Sequence, residues 1–140
     1  MNLLYIWRLS DNILEKITKE SILKFVSKNG IELNCTQQNL CVPIIDRIYK
    51  KMLVGIKFTE IKVENGLICD GHHRYLASLL AKYSIETVPS VTTAATIIIN
   101  WESVNFDNDD WDTTAKIKML NEIDANYNNI PIEKIIDLLK

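Results

Sequence analysis

Apolar positions in this chain change their spacing several times, and each change marks an element. Leu23, Phe25 and Val26 follow Thr18, a helix-capping residue type, and Gly30 stands where a left-handed residue ends a helix. A helix is therefore predicted over that stretch, with Ser10 capping a shorter turn ahead of it. Residues 31–40 carry Asn34, Thr36, Gln37, Gln38 and Asn39 with no helical or strand period, which predicts a loop. Pro43 suits a first helical turn, and Ile44, Ile45, Ile48, Met52 and Leu53 recur at near-helical spacing up to Gly55. From Ile56 to Val63 the spacing shortens to alternation. Thr59, Ile61 and Val63 share one face and Glu60 and Lys62 the other, before Glu64-Asn65-Gly66 supplies a hairpin turn. Leu67, Ile68 and Cys69 form the returning strand, which stops at Asp70-Gly71, and Leu76, Leu79, Leu80 and Tyr83 restore helical spacing from about His72.

The stretch from Val88-Pro89 to Trp101 is rich in Val, Thr and Ile, which predicts another strand with Pro89 at its start and the hairpin as its partner. Asp107, Asp109, Asp110 and Asp112 then make an acidic loop that leads into a helix carrying Ile117, Met119, Leu120 and Ile123. A last helix begins near Pro131, with Glu133 in its first turn and Ile135, Ile136, Leu138 and Leu139 on its apolar side. This order predicts an α+β fold in which helices flank a small mixed sheet. We read residues 1–140 as one domain, with a core at about residues 43–100 and a helical C-terminal extension at about 107–140.

Composition narrows the partners. The 140 residues are 47% hydrophobic and 24% charged, enough for one core without staples. Sixteen basic against 18 acidic side chains leave a formal charge of −2, so no global positive field draws nucleic acid or an anionic membrane. Apolar runs such as Ile97-Ile98-Ile99 fall far short of the ~20 residues a membrane span needs. Leu3 to Trp7 is too short for a signal-peptide core, which makes a cytoplasmic location the expectation. Cys35, Cys41 and Cys69 are odd in number and lack Cys-x-x-Cys spacing; they read as reduced thiols, with Cys69 a small core residue.

Candidate chemistry concentrates in Asp70-Gly71-His72-His73-Arg74, at the strand-to-helix handover. Glycine permits a sharp bend and close approach of a ligand, and the unpaired N–H groups of a helix start attract an anion. Arg74 adds a planar fork of donors, and two imidazoles can donate hydrogen bonds or move protons near neutral pH. Asp70 fits a phosphate site if it holds Mg²⁺, orients a histidine or takes a proton from an acceptor. A plainer reading makes Asp70 a helix N-cap, Arg74 its intrahelical partner and the histidines surface residues. Joint metal coordination by Asp70, His72 and His73 is a third, awkward because adjacent helical residues point about 100° apart.

At this level the chain resembles the ParB/sulfiredoxin superfamily. The resemblance covers about a third of the chain, running through Leu53-Val54-Gly55-Ile56, Thr59-Glu60-Ile61-Lys62-Val63, Asn65-Gly66-Leu67-Ile68-Cys69-Asp70-Gly71-His72-His73-Arg74-Tyr75-Leu76-Ala77 and Glu86-Thr87-Val88-Pro89. In that family a helix ending in Gly leads to a hairpin, a phosphate-binding Gly-x-x-Arg turn, a helix and a Val-Pro that opens the next strand. His72 stands where sulfiredoxins have their catalytic cysteine, which argues against peroxiredoxin repair. Partition proteins carry Gly-Glu-Arg-Arg here and continue into a DNA-binding domain for which this chain leaves no room. The Asp-Gly-His-His-Arg spelling is similar to free-serine kinases and to small ParB-like proteins credited with ATPase or nuclease activity.

The resemblance implies that Gly71, His72, His73 and Arg74 bind the phosphates of ATP, ADP, CTP or another nucleotide. It implies Asp70 and His73 as catalytic residues, Asp70 as the contact for Mg²⁺, and a small-molecule phosphate acceptor. No N-terminal acidic residue matches the general base of such kinases, and Glu60 faces solvent with Lys62. Two alternatives stand beside this reading: a non-catalytic regulatory protein that grips a protein partner through its C-terminal helices, and a nuclease, which the net charge disfavours. The acidic run at 107–112 reads as a solvated helix entrance, and Trp101, Phe106 and Trp111 as core plugs or an interface.

Overall fold

A computed structural model describes residues 16–29 and 33–140, so the Ser10 turn, Leu3 to Trp7 and the Gly30 stop lie outside the described residues. The first described helix, α1 (Lys19–Asn29), starts on a reciprocal cap. Thr18 Oγ1 accepts the Ser21 N–H at 3.1 Å, and Ser21 Oγ accepts the Thr18 N–H at 2.9 Å. Ile17 and Ile22 anchor this end in the core.

The predicted loop over 31–40 ends in a strand, β1 (Asn39–Cys41). Its pairing partner is distant in sequence: β5 (Asn105–Asp107) lies parallel to it, with Asn39 opposite Asn105. α2 (Val42–Leu53) follows directly, with Pro43 in its first turn, and buries Val42, Ile45, Tyr49, Lys51 and Met52.

The predicted strand from Ile56 begins only at Ile61. Ahead of it, the Lys57 N–H goes to Asn128 Oδ1 and the Phe58 N–H to the Tyr83 hydroxyl, so side chains take the donors that a ladder would use. β2 (Ile61–Glu64) and β3 (Leu67–Asp70) pair antiparallel. Their turn places Asn65 at φ 49° and Gly66 at φ 77°, as the Asn-Gly pair predicts. α3 (His72–Ala81) packs on α2, and β4 (Thr87–Pro89) returns parallel to β2, giving a mixed sheet in the order β3-β2-β4.

The strand predicted from Val88 to Trp101 is corrected: β4 stops at Pro89, and Val91, Ile97 and Ile98 are exposed. The Ser90 N–H still reaches the Val63 carbonyl, but the Thr92 N–H turns to the Glu64 carboxylate, which draws the chain off the ladder. Strand propensity without a neighbouring strand to pair with does not make a strand. Ile99 rejoins the fold through a bridge to Cys35, and a 3₁₀ turn at Trp101–Ser103 leads into β5.

α4 (Thr114–Tyr127) begins where Thr113 Oγ1 accepts the Lys116 N–H, and α5 (Ile132–Leu138) follows Pro131. The main core lies between α1, α2, α3 and the sheet, filled by Ile22, Leu40, Ile45, Tyr49, Ile61, Ile68, Leu76 and Val104. Each such side chain contributes about 1.5–3 kcal/mol by leaving water. A second, smaller cluster of Ile56, Ala125 and Ile135 seats the C-terminal helices. The architecture is α+β, and among the described residues no helix is long and apolar enough to cross a membrane.

Candidate functional site

The α3 start is built on Gly71, the helix N-cap, whose φ of 101° and ψ of 29° lie in left-handed space. A Cβ at this position would sit 2.9 Å from Ile61 Cβ and 3.0 Å from Arg74 Nη2, so the bend needs glycine for room as well as for conformation. Tyr75 donates the first helical hydrogen bond, to the Gly71 carbonyl, and among the described residues no side chain caps the amides before it. The plainer reading of the pentapeptide is corrected in its helix cap, while its pairing of Arg74 with Asp70 four residues back is present. Asp70 is not the N-cap; its carboxylate is 65% exposed and 3.5 Å from Arg74 Nη2.

Arg74 lies over the bend. Its Nη1 donates to the Thr59 carbonyl at 3.2 Å, the Glu60 carbonyl at 3.3 Å and the Thr59 hydroxyl. The guanidinium is thus tied to the chain entering β2 while it still borders a cavity of about 450 Å³ shared with Asp70, Gly71, His72 and His73. All five residues of the pentapeptide line one space.

The histidines are braces rather than surface residues, His72 buried and His73 half-buried. His72 Nε2 accepts the Thr36 N–H at 3.0 Å, and His73 Nε2 accepts the Cys41 N–H at 2.9 Å. Accepting at Nε2 requires its lone pair, so the ring proton sits on Nδ1. Burial pushes both pKa values down to about 4: at His72 the charge of Asp70 opposes this, while at His73 the neighbouring His72 adds to it and Asp112 opposes it. Both rings are neutral at pH 7, with the one ring proton on Nδ1. His73 also meets the Trp111 ring edge-on, with centroids 5.6 Å apart at 85°.

Further lining comes from residues the sequence reading passed over. Arg47 and Lys51, one turn apart on α2, face the same cavity. Arg47 grips Asp110 at 2.5 and 3.0 Å and Asp112 at 2.9 Å. Lys51, only 5% exposed, bonds Asp124 on α4 at 2.7 Å. The one local signal was a pair of cations at helical spacing within an apolar stripe, which also describes ordinary snorkelling lysines and arginines. The acidic run folds as a clasp: Asp107 accepts from the Trp111 indole at 3.0 Å and Asp110 holds Arg47, and these bonds keep both carboxyls below their ordinary pKa. Trp101 is a core plug, stacked on Tyr75 and donating to the Leu33 carbonyl at 3.2 Å. Cys35 and Cys41 are buried, Cys69 is half-buried, and all three are free thiols.

Among the described residues no three His, Cys, Asp or Glu side chains converge to hold a metal ion by themselves. Asp70, exposed at the rim, fits the lesser demand of Mg²⁺ carried on phosphates, which needs one or two carboxylates beside water. No family model, no curated protein and no solved structure matches this chain.

Proposed function

We propose that this chain is a ParB/sulfiredoxin-like domain that binds the phosphates of ATP, or of another nucleoside di- or triphosphate, with Mg²⁺ at the 70–74 turn. It hydrolyses the nucleotide or passes its phosphate to a small acceptor. The observation that carries the binding half is the uncapped α3 start at left-handed Gly71 with the Arg74 guanidinium laid across it at a cavity wall. Amide protons and a guanidinium facing one space suit phosphate oxygens in charge and geometry. Ile44, Ile48, Ile117 and Leu120 line the same cavity and give a base an apolar wall.

For the reaction, the demand is alignment and charge neutralisation more than covalent chemistry. Arg74 and the α3 amides would hold the phosphoryl oxygens, and the Nδ1–H groups of His72 and His73 would add neutral donors. Asp70 is the exposed carboxylate beside the reacting group, available to receive an acceptor's proton or to hold Mg²⁺, which when bound would offset phosphate charge. Thermal shift with ATP, ADP, CTP and GTP, with and without Mg²⁺, tests this. Ligand at a hundred times Kd stabilises by about 2.7 kcal/mol, and Arg74→Gln should remove that gain. Absence of any shift at millimolar nucleotide would refute the reading.

A second reading has its own observation. Met119, Ile123, Tyr127, Ile136 and Leu139 on the C-terminal helices are exposed, which favours a protein-binding role for that face. Nucleotide-independent stability together with a nucleotide-insensitive partner interaction would favour it over the first.

A further inference from the structure

The cavity has three cations, Arg47, Lys51 and Arg74, and three carboxylates, Asp70, Asp112 and Asp124, so its lining carries no net charge. A polyphosphate entering it meets carboxylates as well as cations. Two of those carboxylates arrive on the C-terminal segment: Asp112 just ahead of α4 and Asp124 within it. They engage the α2 pair at 2.9 and 2.7 Å, as phosphate oxygens would.

How α4 is held supplies the second observation. Of its own residues it buries Ala125 alone, while Met119, Ile123 and Tyr127 are 44%, 52% and 50% exposed. Further ties among the described residues include Asn128 at its C-terminal end, which clasps the Lys57 backbone at 2.7 and 3.0 Å, and the small cluster around Ile56. Ile117 and Leu120 add half-buried contacts at the cavity, and the ion pairs of Asp112 and Asp124 supply the polar ties of this segment to Arg47 and Lys51 on α2. Resting on the phosphate reading above, we propose that α4 is an ionic latch on the cavity: Asp112 and Asp124 act as internal counter-anions, and a polyphosphate displaces them from Arg47 and Lys51 and frees the helix.

Coupling between two equilibria is reciprocal, so whatever loosens α4 must tighten ligand binding by the same factor. The probe is inorganic triphosphate, which has no base to confuse the reading. Its affinity is measured by calorimetry for the wild type, Asp112→Asn and Asp112→Asn/Asp124→Asn. Amide exchange over residues 114–127 is followed in the wild type with and without the probe. The latch requires faster exchange of α4 in the bound wild type and binding about tenfold tighter in the double variant, a middling coupling for two linked sites. The single variant, in which Asp110 still holds Arg47, and the wild-type exchange decide the matter if the double variant does not fold. Triphosphate binding that Arg74→Gln abolishes, with either the faster exchange or the tighter binding missing, overturns the latch and leaves the phosphate site standing. No binding by the wild type overturns both.

Discussion

Acidification should loosen this protein in a window set by its two histidines. Each ring is neutral in the fold, with its pKa lowered to about 4, whereas an unfolded histidine takes its proton near 6.5. Between those values the unfolded chain binds more protons, so stability is complete above about pH 6.5 and falls as the pH drops towards 4. At pH 5 the full shift is equivalent to about 2 kcal/mol per ring, and solvent reaching these partly covered sites reduces it to about 1, or about 2 kcal/mol for both. Asp107 and Asp110, held below their ordinary pKa, keep their contributions through this window and lose them only at lower pH.

The decisive variant is His73→Gln, whose carboxamide oxygen can accept the Cys41 N–H in place of Nε2 but does not titrate. Urea unfolding at pH 7.5, 6.0 and 5.0 should show this variant within about 1 kcal/mol of the wild type at the highest pH, since the hydrogen bond is kept. It should also show about half of the acid loss removed. His73→Leu removes the acceptor and leaves the amide of fully buried Cys41 without it, which costs about 1–3 kcal/mol already at pH 7.5. If the Gln variant loses as much stability between pH 7.5 and 5.0 as the wild type, the assignment of a neutral, bracing His73 is refuted.

Other substitutions probe separate parts of the structure. Gly71→Ala should cost about 2–5 kcal/mol, combining left-handed strain with overpacking against Ile61, and a urea midpoint near the wild-type value would show that the bend tolerates a side chain. Asn128→Ala removes bonds to the Lys57 N–H and carbonyl, so stability should fall by about 1–2 kcal/mol and the Lys57 amide should exchange faster; unchanged exchange would contradict the clasp.

Local features of this protein were legible because their causes lie within a few residues. The Thr18 cap, Pro43 at a helix start, the left-handed Asn65-Gly66 turn, the bend at Gly71 and the Pro131 entrance to the last helix depend on backbone preferences and short-range bonds. The pentapeptide at 70–74 could be picked out for the same reason, since its members sit on one turn. Features that depend on distant partners could not be read that way. β1 needed β5 to be a strand, the stretch after Pro89 had a strand's composition and no strand among the described residues to pair with, and the histidines are neutral because the fold covers them and braces because Thr36 and Cys41 present their amides to them. Most of all, pairing α2 with acids from the C-terminal segment brings Arg47, Lys51, Asp112 and Asp124 to the same cavity as the glycine bend. By itself the sequence determined where the backbone bends and which side chains carry charge. Tertiary structure alone decided which charges meet and which rings lose their water, because those energies depend on separation in space and on burial rather than on spacing along the chain.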